Sequence, residues 1–146
     1  MVAEALDADK VDAFLYDVTI DSLAAVGSSN RPMARLQQWL GLNRVPIANG
    51  GYDVEVFEQG ISYRTGRAEH DPKVAVGLRQ RLGAQSILAV PLRVGHERGG
   101  VLEVISAQPD KFSDDDVHFT EAVARWVGMV AHRAELAERV ACESAL

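Results

Sequence analysis

Two long apolar, β-branched runs lie in the second half of the chain, Ser86–Val94 and Val101–Ile105. The short polar segment His96–Gly100, which ends in two glycines, separates them. Such runs joined by a few residues that include glycine predict an antiparallel hairpin. Residues Ile87–Val90 are continuously apolar, which predicts burial on both faces of a sheet. Pro91 has no backbone N–H and therefore requires an edge or a bulge.

A weaker hairpin pattern lies near the N-terminus. β-forming residues recur over Val11–Ile20, and a second short run, Leu23–Val26, follows a polar turn, so residues 11–27 are predicted to form a first hairpin. The preceding segment, Val2–Asp9, has helical spacing but spans barely two turns. Its start at the initiator methionine suggests a longer helix cut at that point.

The segment between the hairpins carries helical patterns broken by glycine and proline. Capping residues and Pro32 predict a helix ending at Gly41, whose apolar stripe is expected to pack in the core. The stripe consists of Met33, Leu36, Trp39 and Leu40.

Residues 43–73 are the least regular part of the chain. Alternation would make Tyr52–Phe57 a strand, but the spacing before Gly60 favours a short helix at 53–59. A brief strand at Ile61–Arg64 and a loop are expected next. A helix over Val74–Leu82 is then predicted from apolar residues at four-residue intervals.

A long helix is predicted to begin after Ser113, with three aspartates in its first turn. It carries two apolar stripes. The first is predicted to be the coiled-coil seam of a parallel homodimer, to which Leu6 of the first helix is expected to contribute. The seam residues are Val123, Trp126, Val130, Arg133, Ala137 and Val140. The second stripe, which can pack on the sheet, is Val117, Ala124, Val127 and Ala131.

Composition bounds the class of protein. The 146 residues are 47% hydrophobic with a net charge of −6, which indicates one globular domain with a real core. Dispersed carboxylates argue against a nucleic-acid partner, which needs clustered basic residues. The single cysteine, Cys142, cannot form an internal disulfide, and no apolar run approaches the ~18 residues of a membrane span. We expect a cytoplasmic protein with no membrane span.

Catalytic chemistry has no clear basis in the sequence. The four histidines lack the spacing of a metal site, and no nucleophile–base pair or cofactor fingerprint is present. We therefore predict no catalytic residue and no bound metal. Glu103 alternates with Leu102 and Val104, so it occupies the sheet face opposite to theirs, but the pattern does not show which face that is.

The order of elements and four segments together resemble a GAF domain. The segments are Asp9–Ala13, Arg81–Leu92, Gly99–Val104 and Phe112–Asp116. The resemblance implies an α+β, profilin-like fold: a central antiparallel sheet flanked by helices, with a long C-terminal helix. It covers nearly the whole chain, so residues 1–146 are expected to form one domain, with residues 137–146 beginning a connector helix.

The resemblance also implies a ligand pocket bordered by the irregular segments and by the strand at residues 86–92. Seven polar residues would offer donors to an anionic or amide-bearing ligand. They are Tyr52, Tyr63, Arg64, Thr65, His70, Asp71 and Ser86. An alternative is that Arg64 and Asp71 merely pair to hold their loop.

Specialised relatives constrain the cofactor, which stays unknown. Bilin-binding and methionine-sulfoxide-reducing relatives need a cysteine in the pocket, whereas Cys142 lies in the terminal helix. Cyclic-nucleotide-binding relatives carry an Asn-Lys pair that is missing here, and Val117 replaces their glutamate. Ligation of haem iron by His70 is less favoured than contact with an organic ligand.

The function that the resemblance implies is that of a regulatory input module. Residues Val130–Arg139 resemble the connector into the dimerisation helix of a sensor histidine kinase. The chain would then be a fragment with an attached output domain, which could equally be a transcription regulator or a cyclic-dinucleotide enzyme. Two further alternatives are a constitutive dimerisation module whose pocket is filled by side chains, and a stand-alone enzyme.

Overall fold

The computed structural model describes residues 2–28, 31–75 and 77–144. A six-stranded sheet lies at its centre, in the order β3-β2-β1-β6-β5-β4, and every neighbouring pair is antiparallel. The strands are β1 (Lys10–Asp17), β2 (Ser22–Ser28), β3 (Arg44–Pro46), β4 (Tyr63–Thr65), β5 (Ser86–Val94) and β6 (Glu97–Ser106). The helices are α1 (Val2–Ala5), α2 (Pro32–Trp39), α3 (Tyr52–Gln59) and α4 (Asp114–Ser144). Single turns of 3-10 helix occupy Ile47–Asn49 and Ala68–His70, and a π-helical turn occupies Gly77–Arg81.

The sheet has a helix on each side and one long terminal helix, so the predicted fold class is confirmed. Both predicted hairpins are present, as β1–β2 and β5–β6. Ile87–Val90 have no exposed surface, as expected for a strand covered on both faces. Pro91 is tolerated because β4 pairs only with Ile87–Ala89, so β5 has a free edge beyond that point.

The turn of the second hairpin is tighter than predicted. It consists of Gly95 and His96 alone, and Glu97 already pairs with Val94. Gly95 has φ +67°, which a two-residue hairpin turn commonly requires and which glycine adopts without strain. The polar segment that was expected to be loop therefore begins β6.

Alternation along the strands divides the core between two faces of the sheet. The helix face, under α1 and α4, includes Leu6, Leu88, Val90, Leu92, Leu102, Val104, Phe112 and Ala124. The other, which we call the cavity face, packs against α3 and the segment that follows it. Its core includes Phe14, Leu23, Tyr52, Val56, Val74, Leu78, Leu82, Ile87, Ala89, Val101 and Ile105.

Helix α4 begins with a capping box. The N–H of Asp116 donates to Ser113 Oγ (3.2 Å), and the N–H of Ser113 donates to Asp116 Oδ2 (2.9 Å). The helix lies close on β5 because Gly128 has no side chain: a Cβ there would come within 2.1 Å of the Arg93 carbonyl oxygen. Ala124 is buried, as expected of the second stripe, and residues 133–143 are all exposed.

Three expectations about packing are wrong. Trp39 is 83% exposed and Leu36 is 39% exposed, because α2 turns Met33 and Gln37, which are four residues apart, toward the protein. Leu6 is buried in its own subunit's core on the helix face and is not available to a dimer seam.

The helix expected over Val74–Leu82 is also shorter than predicted and consists of the π-helical turn Gly77–Arg81. The apolar spacing nevertheless indicated the buried positions correctly, since Val74, Leu78 and Leu82 all lie in the core. The predicted short helix ending at Gly60 is confirmed as α3, with Gly60 in the left-handed conformation at its end.

Candidate functional site

A cluster of charged side chains lies on the cavity face at the middle of the sheet. Asp12 of β1 and Glu103 of β6 are register partners, and Lys10 lies on the same face of β1, two residues before Asp12. The Lys10 ammonium donates to Glu103 Oε1 (2.7 Å) and to Asp12 Oδ2. All three residues are almost completely buried.

Helix α3 brings two more polar groups to this cluster from its first turn. The hydroxyl of Tyr52 donates to Glu103 Oε2 (2.5 Å). The carboxyl group of Asp53, which is 5% exposed, lies close enough to that of Glu103 for the two groups to influence each other's ionisation. Glu103 therefore links β1, β6 and α3.

The carboxyl groups of Asp53 and Glu103 are held in different protonation states. Burial and the nearby Glu103 charge hold the pKa of Asp53 well above its ordinary value. Burial also disfavours the charged form of Glu103. The Lys10 ammonium and the hydrogen bonds that the Glu103 carboxylate accepts nevertheless lower the pKa of Glu103. Burial likewise disfavours charged Lys10, whose pKa is nevertheless raised by Glu103 and Asp12. The surroundings thus bias Asp53 toward its protonated form, and Glu103 and Lys10 toward their charged forms.

A cavity of about 270 Å³ opens beside this cluster on the cavity face. Asp53 and Glu103 line it together with apolar side chains, and exposed polar residues line its mouth. The apolar lining includes Phe14, Leu42, Val45, Pro46, Val74 and Leu78, and the exposed polar lining is Arg44, Asn49 and Lys73. Within the described part of the chain, Oδ1 of Asp53 and Oδ1 of Asp12 are buried without a hydrogen-bond partner.

The outer wall of the cavity, residues 72–75, is fastened to α3. The N–H of Tyr52 donates to the Lys73 carbonyl (3.2 Å), and the Lys73 ammonium lies 2.9 Å from Glu55 Oε2. The Tyr52 ring stacks on the ring of Tyr63, with 4.9 Å between centroids, and the Tyr63 hydroxyl donates to Asp71. Burial and this hydrogen bond raise the pKa of Tyr63. A chain of contacts therefore connects the charged cluster to the wall.

The seven predicted ligand-binding residues do not line this cavity. Tyr52, Tyr63 and Asp71 lie together just behind its wall. Of the other four, Thr65 accepts a bond from the Arg67 N–H, His70 is exposed beside Glu69, and Ser86 bonds to the backbone of residues 108 and 111.

Arg64 has partners different from the one expected. Its guanidinium lies 2.8 Å from Asp114 Oδ1 at the start of α4, and it borders a separate surface hollow there. The predicted alternative of an Arg64–Asp71 ion pair is wrong, because Arg64 extends toward α4 and Asp71 bonds to Tyr63.

Sequence reasoning missed Lys10, Asp12 and Asp53. The available signal was weak: Lys10 and Asp12 alternate with Val11 and Ala13 in a strand, as Glu103 alternates with Leu102 and Val104. Alternation put these charges on a common face of each strand. It did not show that the two strands pair at those positions.

The predicted seam residues lie on the outer side of α4. Trp126 is 63% exposed and Val130 is 47% exposed, and Arg133 and Ala137 are exposed as well. Val123 instead packs partly against the helix-face core of its own subunit. A second concavity, of about 480 Å³, lies between α4 and β5 and is bordered by Arg93, Met129 and His132.

The described residues contain neither a candidate metal site nor a candidate membrane span. No group of three or more His, Cys, Asp or Glu side chains there is placed to hold a metal ion. No helix in that part of the chain is long and apolar enough to cross a membrane.

Comparison with known proteins defines the class of this protein. The family model described as "GAF domain" matches residues 1–130, and the chain belongs to the GAF domain family. No curated protein sequence matches the chain. GAF domains are sensory and regulatory modules of signalling proteins, which is the coarse function that the family establishes.

Solved structures share the fold at low sequence identity. The GAF domain of an Acinetobacter phosphoenolpyruvate-protein phosphotransferase has a TM-score of 0.74 at 19% identity, over 94% of this chain and 79% of that one. A GAF domain/HD domain protein from Geobacter sulfurreducens has a TM-score of 0.75 at 14% identity, over 92% and 90%. A free methionine-R-sulfoxide reductase from Neisseria meningitidis, in complex with its substrate, has a TM-score of 0.71 at 19% identity, over 92% and 74%. At these identities the likeness establishes the fold alone.

Proposed function

We propose that this GAF domain is a regulatory input module that binds a small molecule in the cavity on its sheet. The observation that carries the proposal is the open 270 Å³ space bordered by two buried carboxyl groups, one of which has an unpartnered oxygen. Its size is near the lower end of small-molecule sites. An apolar lining with a few convergent polar groups is the usual construction of such a site.

The sheet provides a route from the cavity to α4. Glu103 borders the cavity, while its neighbours Leu102 and Val104 pack on the helix face with Ala124 of α4. A ligand that moved Glu103 would therefore shift side chains that support α4. Because interiors are close-packed, such a shift is transmitted to the helix.

We further propose that α4 mediates a parallel homodimer and continues into an output domain. Trp126, Val130 and Val140 are spaced as a coiled-coil seam and are exposed in the single chain. The output domain that best suits this connector is a sensor histidine kinase. Alternatives are a transcription regulator and a cyclic-dinucleotide enzyme. The GAF domains of a phosphotransferase and of an HD domain protein among the structural neighbours illustrate the range of attached activities.

The proposed role is regulatory and cytoplasmic, without catalysis by this chain. The reductase from Neisseria meningitidis shares the fold, so the fold alone does not decide the matter. The only cysteine here, Cys142, lies in the exposed C-terminal part of α4. Thiolate chemistry at the cavity would need a cysteine that the sequence does not supply there.

The alternative of a constitutive dimerisation module predicts a domain indifferent to small molecules. The test is a thermal-unfolding screen of the purified chain against a metabolite library. We expect at least one compound to raise Tm in a concentration-dependent manner, by mass action on the folded state. Val45→Phe, which fills the cavity with a larger apolar side chain, should abolish that shift while keeping or raising Tm without ligand. A library that leaves the wild-type Tm unchanged would favour the dimerisation module.

A further inference from the structure

We infer that the cavity ligand carries a protonated nitrogen, such as an ammonium or amidinium group, that docks against Asp53 and Glu103. This inference rests on the proposed function and deepens it by assigning the chemical class of the ligand.

The base of the cavity is acidic and, among the described residues, includes two carboxyl oxygens without a hydrogen-bond partner, one on Asp12 and one on Asp53. Three carboxyl groups, those of Asp12, Asp53 and Glu103, surround a single ammonium, that of Lys10. The ammonium bonds to Asp12 and Glu103 and is completely buried, so it is not directed to a ligand. Within the part of the chain that the structure describes, Oδ1 of Asp53, a residue that lines the cavity, has no hydrogen-bond partner. Buried acceptors of this kind are normally satisfied, so the missing group is a hydrogen-bond donor.

A positive charge suits this position better than a neutral donor or an anion. An anionic group would face the charged Glu103 carboxylate across a poorly solvated space. A cation would be attracted by Glu103 and would also allow Asp53 to release its proton and form a second charge-assisted hydrogen bond. The positive side chains of Arg44 and Lys73 lie at the exposed mouth, so a ligand that also has an anionic group would enter with its cationic end first.

The volume of the cavity suits a small metabolite. About 270 Å³ corresponds to roughly nine water molecules at liquid density, which is the size of a simple amine or an amino acid. The apolar wall formed by Phe14, Val45 and Leu78 fits an uncharged body behind the cationic group.

Binding should be linked to proton release. The groups around Asp53 are Glu103 on β6, Lys10 and Asp12 on β1, Tyr52 on α3 and Tyr63 on β4, with Lys73 in the wall. If the cation displaces the Asp53 proton into solvent, affinity rises with pH by up to about tenfold per unit while Asp53 is protonated in the free protein.

The experiment titrates the whole chain with three probes of matched size: benzylamine, benzyl alcohol and benzoate. Backbone amide chemical shifts of Gly51, Asp53, Lys73 and Glu103 report binding in the cavity. We expect benzylamine at millimolar concentration to shift these amides and to bind about tenfold more tightly than benzyl alcohol, with no shift for benzoate. Calorimetry in buffers of different ionisation enthalpy should show proton release on benzylamine binding.

Asp53→Asn is the decisive variant, because it keeps the carbonyl oxygen and a donor toward Glu103 but cannot ionise. It should weaken benzylamine binding about tenfold and abolish proton release, with no effect on benzyl alcohol. Asp115→Asn makes the same substitution at an exposed position. It should change neither the affinity for benzylamine nor the release of a proton on binding.

Several outcomes would overturn the inference. They are equal or tighter binding of the alcohol or of benzoate, an unaltered benzylamine affinity in Asp53→Asn, and no shift of the cavity amides by benzylamine. A further outcome is a library compound that has no cationic group and whose binding is abolished by Val45→Phe. That result would refute the inference that the ligand is cationic and leave the proposed sensory function intact. Failure of the whole library would refute the sensory function itself.

Discussion

Asp53 and Glu103 interact electrostatically through their buried carboxyl groups although one belongs to the first turn of α3 and the other to the middle of β6. The Lys10 ammonium, 2.7 Å from Glu103 Oε1, lowers the pKa of the glutamate, and the glutamate charge helps to raise the pKa of the aspartate. The wall of the cavity thus contains two carboxyl groups whose pKa values are shifted in opposite directions. This arrangement leads to predictions about stability as well as binding.

The first prediction concerns the pH dependence of stability. Because the pKa of Asp53 is raised in the folded state, the folded protein retains a proton that the unfolded chain releases above about pH 4. Stability contributed by this group therefore falls as pH rises from there toward the folded pKa, by at most ~1.4 kcal/mol per pH unit. Asp53→Asn removes this dependence. Urea unfolding between pH 4 and pH 8 should show the variant becoming progressively more stable than the wild type.

The contribution of Glu103 to stability has the opposite pH dependence. Because the pKa of Glu103 is lowered in the folded state, its contribution is lost as the pH falls through that folded-state pKa. Both proteins keep Glu103, so its contribution largely cancels in the comparison. A stability difference that stays constant with pH would show that Asp53 is ionised in the folded protein.

The second prediction concerns Lys10. Lys10→Met leaves buried carboxylates without their cation and should reduce the free energy of unfolding by about 3–5 kcal/mol. The double variant Lys10→Met, Glu103→Gln should recover part of this loss, because one buried charge is then removed. Lys73→Met breaks the half-exposed Lys73–Glu55 pair and should have a much smaller effect, because solvent screens that pair. Equal effects of the two single variants in urea unfolding would contradict the burial argument.

The third prediction tests the contact between α4 and β5. Glycine to alanine inside a helix normally stabilises by about 1 kcal/mol. At Gly128 the new Cβ would come within 2.1 Å of the Arg93 carbonyl oxygen, so we expect Gly128→Ala to destabilise by about 1–3 kcal/mol instead. Ala134→Gly, at an exposed position of the same helix, should cost about 1 kcal/mol from propensity alone. A higher Tm for Gly128→Ala than for the wild type would show that α4 does not approach β5 this closely at Gly128.

The fourth prediction concerns assembly through α4. Trp126→Ala combined with Val130→Asp should shift the chain toward monomer in sedimentation equilibrium from micromolar to near-millimolar concentration, because a buried charge and a lost aromatic group both weaken a seam. Trp39→Ala is the matched control, since Trp39 is 83% exposed on α2. A wild-type chain that stays monomeric throughout, or a Trp39→Ala variant that dissociates equally, would refute the seam.

The sequence by itself determined the elements whose signals are local. The β5–β6 hairpin, the end of α3 at Gly60 and the start of α4 at Ser113 follow from runs of apolar residues, a glycine stop and a capping box. Each of these signals depends on residues that are only a few positions apart in the chain. It can therefore be recognised in the sequence without knowledge of the fold. The same holds for the second stripe of α4, whose spacing alone predicted the burial of Ala124.

Only the tertiary structure decided where the candidate site lies. Alternation placed Glu103 on the sheet face opposite to Leu102 and Val104, but the pairing of β1 with β6 was needed to bring Asp12 opposite it. The exposure of Trp39 likewise depends on which side of α2 meets the protein. Periodicity shows which residues share a face, whereas long-range pairing decides what that face meets. The charged cluster is made by residues far apart in the chain, so no local pattern contains it.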